Sequence, residues 1–190
     1  MLPDPLHPAI VHFPVVLSVL IPLVAIGALW AIKRGACHKR AWGVTTAVAA
    51  VLALSAWAAV QTGEQQEERV EDVVGESRLE QHAEAGETLL FTSAGLLAVI
   101  ALGLMPGTTG RVARYAGVAG TLVVVAVAYR VGSSGGELVY KYNAGAAYAT
   151  ADSAGQGGGA AGEGKERGAV AEKGERGEAG ETGEKGEGGR

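Results

Sequence analysis

Apolar residues in this chain gather in blocks, whereas a water-soluble core is built from stripes with a period of 3.6 or 2. The four blocks, at 9–32, 41–60, 89–105 and 112–131, are nearly free of charge. A helix rises about 1.5 Å per residue, so about 20 apolar residues cross a hydrocarbon core of about 30 Å, and each block predicts a membrane-spanning helix. The shortest block, 89–105, reaches across with Thr88 and Pro106 at its margins. No block alternates polar and apolar positions, which excludes the strands of a membrane β-barrel. The expected fold is all-α: an integral membrane four-helix bundle over 1–148, with an extramembrane helical connection between helices 2 and 3.

The breaks between and within these blocks refine that expectation. Pro8 suits the first turn of a helix, where its missing N–H has no partner to lose. Pro14 and Pro22 lie deeper and bend the first span. Ala113, Gly117 and Gly120 give the fourth span a small-residue face on which another backbone can pack closely. Between the second and third spans, helix-forming residues continue to Gly75, with Val70, Val73 and Val74 among acids and an apolar face resumed by Leu79 and Ala83. This predicts two short helices broken near Gly75 and lying over the mouth of the bundle. After the fourth span, residues 132–136 read as a glycine-rich turn, followed by a short apolar and aromatic segment. The Gly-, Glu- and Lys-rich stretch 149–190 buries too little surface to offset its conformational entropy and is expected to be disordered.

Charge gives the orientation, because basic side chains resist translocation. Residues 33–40 hold Lys33, Arg34, Lys39 and Arg40, and the third loop leads into Arg111 and Arg114, while the first eight residues carry neither Lys nor Arg. Both basic loops are therefore expected in the cytoplasm. Both termini and the acidic connection 61–87 then lie outside, as a multi-pass protein of a bacterial inner membrane. Trp30, Trp42 and Tyr115 fall at the inner interface in this arrangement, and Trp57 and Tyr129 at the outer one. The opening residues lack the basic start and the cleavage site of a secretory signal, so the first helix is expected to be retained. A single cysteine, Cys37, permits no internal disulfide.

Four motifs stand out: His7-Pro8-Ala9-Ile10-Val11-His12-Phe13-Pro14 at the first span, Thr62-Gly63-Glu64 after the second, His82 before the third, and Gly135-Gly136-Glu137-Leu138-Val139-Tyr140 after the fourth. In kind and order they resemble the bacterial membrane family called domain of unknown function 2231, over roughly residues 1–148. The resemblance implies four transmembrane helices and a set of outward-facing motifs, without an assigned activity. Members joined to cytochrome c-like modules point to redox surroundings, which is association and not mechanism.

The topology gathers His7, His12, Glu64, His82 and Arg130 at the outer surface. Imidazole binds haem iron, copper or zinc, and a carboxylate such as Glu64 can orient it, so haem b or a transition metal is the expected cofactor class. His12 and His82 are the expected facing ligands, with His7 nearby and Arg130 available to a haem propionate. Against this stands a bland alternative in which the histidines fasten helix ends together, giving a non-catalytic scaffold that docks a periplasmic partner. His7 and His12 are five residues apart, about 140° around an ideal helix, so both cannot face one way unless the helix begins after His7. No hydrolase, phosphate-loop or zinc-protease motif occurs. A net charge of −4 argues against nucleic acid. The partners that remain are the lipid bilayer, periplasmic or membrane redox proteins, and a second copy of the chain in a homo-oligomer.

Overall fold

The computed structural model describes residues 6–148, so the disorder expected at 149–190 falls outside the described residues. Among the described residues every regular element is a helix: α1 (His7–Ile10), α2 (His12–Lys33), α3 (His38–Glu64), α4 (Glu67–Val74), α5 (Glu76–Leu102) and α6 (Gly107–Tyr140). Four runs, His7–Lys33, His38–Glu64, Glu76–Leu102 and Gly107–Tyr140, are long and apolar enough to cross a membrane. The protein is an all-helical, multi-pass membrane bundle.

Local chemistry explains the breaks. Pro14 has no N–H to offer the carbonyl of Ile10, and the helix interrupts at Val11 between α1 and α2. Val11 still bonds back to the His7 carbonyl at 3.0 Å, so the interruption is slight. Gly75 takes φ +84°, a left-handed value that a side chain resists, and it ends α4 where the sequence predicted a break. The second of the two expected short helices is not separate: from Glu76 the chain runs as one helix into the third span. The glycine-rich turn expected at 132–136 is also helical, and α6 continues through it to Tyr140. Ser133 and Ser134 there bond back to the carbonyls of Arg130 and Val131, and Leu138 one turn on is buried against α4. Tertiary burial thus outweighs the low helix propensity of glycine.

The four long helices form a closed ring in the order α2, α3, α5, α6, each packed on its two neighbours. The ring has a repeat in it. Helix α2 buries Pro14, Ser18, Ile21 and Ala25, and α5 buries Leu89, Ser93, Leu96 and Ile100, each 75 positions later. Helix α3 buries Trp42, Thr45, Ala49, Leu52 and Ala56, and α6 buries Arg114, Gly117, Thr121, Val124 and Ala128, each 72 positions later. The two hairpins, α2–α3 and α5–α6, therefore present equivalent faces to a common axis along the bundle.

At the basic end, Trp42 is fully buried and its indole N–H donates to the Ile100 carbonyl at 2.8 Å. The expected interfacial role of Trp42 is thereby corrected: its ring fills the space left by Gly103 and Gly117, where an added Cβ would collide with or crowd it. Arg114, the counterpart of Trp42 in the second hairpin, is buried and donates to the Gly103 carbonyl at 2.5 Å. Large side chains such as Phe13, Leu23, Leu54, Phe91 and Leu122 are 61–71% exposed around the ring, an outer coat suited to lipid.

Candidate functional site at the histidine end

The hairpin geometry places the start of α1 beside the end of α3, and the first turns of α5 beside the late turns of α6. In the first pair, His7 Nδ1 lies 2.9 Å from the Ala59 carbonyl and 3.3 Å from the Thr62 hydroxyl. A carbonyl only accepts, so Nδ1 carries the proton and donates. The Thr62 hydroxyl in turn donates to the carbonyls of Ala58 and Ala59. With Nδ1 protonated, the neutral ring presents the lone pair of Nε2.

The second pair repeats this arrangement. His82 Nδ1 lies 2.8 Å from the Ser134 hydroxyl, which donates its own proton to the Val131 carbonyl at 3.0 Å. The hydroxyl therefore accepts from His82, and this ring too carries its proton on Nδ1. His82 follows His7 by 75 positions, Ser134 follows Thr62 by 72, and Val131 follows Ala59 by 72. Glycine completes each half: a Cβ at Gly63 would come within 3.1 Å of His7 Cε1, and one at Gly135 within 3.0 Å of His82 Cε1. Both glycines let a helix backbone approach an imidazole more closely than an ordinary side chain permits.

The two half-sites meet. The rings of His7 and His82 stand perpendicular, with centroids 6.4 Å apart, and both are partly buried. Beyond them, Leu138, Ala144 and Ala147 pack on Val70 and Val74 of α4, closing the chain after α6 over the connection. Arg78 lies over the Tyr142 ring at 4.0 Å, and the Tyr148 hydroxyl donates to Gln66 at 2.6 Å. A polar cleft of about 260 Å³ beside this cap is lined by Ser77, Arg78, Gln81, Ser134, Glu137 and Tyr142, so it reaches the hydroxyl that holds His82.

The other residues singled out from the sequence lie apart from the ring pair. His12 is exposed on α2: the interruption at Val11 is slight, and five residues of near-continuous helix turn its position about 140° from that of His7. It is His7, not His12, whose ring meets His82. Glu64 is exposed and accepts from the Gln61 amide at 3.0 Å, and Arg130 is exposed on α6. No group of three or more His, Cys, Asp or Glu is arranged to hold a metal among the described residues. Ser134 was missed in the sequence because a serine in a glycine-rich stretch reads as a turn residue; the spacing that matches it to Thr62 was the available signal.

A family described as predicted membrane protein (DUF2231) matches residues 3–148. No curated protein and no solved structure matches the chain.

Proposed function

The chain belongs to the DUF2231 family of predicted membrane proteins, and from that premise we propose that it is a membrane-embedded binding module in which His7 and His82 take a transition-metal ion, or the iron of haem b, through Nε2. One observation carries this reading. Each Nδ1–H is held by an oxygen acceptor, Ala59 and Thr62 for His7 and Ser134 for His82, as an outer set of groups orients a metal-binding histidine. The two rings lie 6.4 Å apart, close enough for one ligand to be shared where both Nε2 atoms turn toward it. The basic loops favour the cytoplasm, so this reading puts the site on the outer face of the inner membrane, within reach of periplasmic or membrane redox proteins.

The test is an absorption spectrum and metal analysis of full-length protein purified in mild detergent. Retained metal, or a Soret band, that is lost in both His7→Ala and His82→Ala and kept in His12→Ala supports the proposal. Colourless, metal-free protein that takes up neither haem nor metal ions overturns it. A second reading, a scaffold without cofactor, is favoured by the same hydrogen bonds: each histidine ties the start of one helix to the end of the next. It expects copurification of a membrane or periplasmic protein and no change in spectrum with either variant.

A further inference from the structure

From the repeat we infer that the His7–His82 pair is a two-coordinate site for a single soft monovalent cation, copper(I), held on the axis between two equivalent helical hairpins. This inference rests on the reading of the pair as a ligand site and narrows it to one kind of ion.

Equivalence is the first step. The hairpins match at nine pairs of buried positions, and they match again at the histidine end in imidazole, hydroxyl, helix carbonyl and close-packed glycine. A ligand shared by two equivalent halves receives the same donor from each, so the site has an even number of protein donors. Among the described residues two are present, both imidazole nitrogens.

Ligand number then selects the ion. Zinc in protein sites takes four ligands, or three and a water, and copper(II) prefers a tetragonal set. No third His, Cys, Asp or Glu joins the pair among the described residues, and Glu64 is turned to solvent and the Gln61 amide. Among the described residues no carboxylate joins the two rings to offset a second positive charge. A filled-shell monovalent ion is satisfied by two donors in line and adds the least charge to a partly buried place. The spacing allows it: 6.4 Å between ring centroids is about what two metal–nitrogen bonds of about 2.0 Å each and two imidazole half-widths fill when both Nε2 atoms turn toward one ion. Perpendicular rings suit such a line, since nothing in two-coordinate geometry requires them to be coplanar. Haem iron also takes two imidazoles at such a spacing, and a Soret band distinguishes it from a bare ion.

Full-length protein in detergent, titrated anaerobically with copper(I) against a chromophoric copper(I) chelator, tests this. The expected result is one equivalent per chain, with affinity falling at least tenfold, and equally, in His7→Ala and His82→Ala, and unchanged in His12→Ala. X-ray absorption of the copper-loaded wild type requires no variant to fold, and it should show two nitrogen ligands. A coordination number of three or four, a Soret band, or a preference for zinc that depends on the same two histidines overturns the two-coordinate site while leaving the broader binding reading in place. Wild-type protein that takes up neither a metal ion nor haem overturns both.

Discussion

At Thr62 and Ser134 the hydroxyls do two things at once, bonding a helix carbonyl and accepting from an imidazole. Removing the Ser134 hydroxyl should release the His82 Nδ1 proton from its fixed place and let the ring turn, whereas His7 keeps the Ala59 carbonyl at 2.9 Å when the Thr62 hydroxyl is lost. Groups of this outer kind change metal affinity by about 10–100-fold when lost. Ser134→Ala should weaken the ion by that factor in the copper titration, and Thr62→Val by less, each leaving the stoichiometry at one; no change in affinity with Ser134→Ala would separate its hydroxyl from the site. Glycine acts through space. A Cβ at 3.1 or 3.0 Å from Cε1 requires the ring to yield by a few tenths of an ångström, and a branched side chain requires more. Gly63→Val and Gly135→Val should therefore abolish binding with both histidines intact, measured in the same titration. The histidines, Thr62 and Gly63 were legible in the sequence as unusual residues. Which imidazole faces which was not, because that depends on where α1 gives way to α2.

Among the elements, α3 carries Trp42, the largest of the fully buried side chains. Lipid tails are as apolar as the bundle interior, so helices associate by close fit and hydrogen bonds and gain little from leaving the solvent. Trp42 supplies both, filling the space beside Gly103 and Gly117 and donating to Ile100 across the hairpins. Trp42→Ala should destabilise the bundle by about 3 kcal/mol, the low end of the range for large-to-small core changes, read from denaturant-induced loss of helix in detergent. An unshifted midpoint would mean that the indole is not a packing element. The four spans could be read from hydropathy because a bilayer demands an unbroken apolar run. Trp42 was misplaced at an interface, since an indole near a span end serves as an anchor or a core residue with the same hydropathy. The late turns of α6 were misread for a related reason: glycine and serine weaken a helix locally, and only burial of Leu138 against α4 restores it.

Over the whole molecule, one exposed thiol gives access to the orientation. Cys37 is the single cysteine, in the loop between α2 and α3, and the opening turn of α3 directs the N–H groups of Arg40 and Lys39 toward it, holding its pKa below the usual thiol value. It should react readily near neutral pH. A membrane-impermeant maleimide added to intact cells should leave Cys37 unlabelled, and should label it once the membrane is opened. Labelling of intact cells would place the histidine end in the cytoplasm. By itself the sequence determined the all-helical class and the number of candidate spans, because hydrocarbon admits long apolar helices with every backbone group bonded within. It also marked His7 and His82 as costly residues near membrane depth. The tertiary structure alone decided that they form a pair, since the facing of two rings depends on ring order and helix rotation, and no local preference specifies either. The repeat between the hairpins was present in the sequence as spacings of 75 and 72. It became visible only when burial separated the positions that face the axis from those that face the lipid.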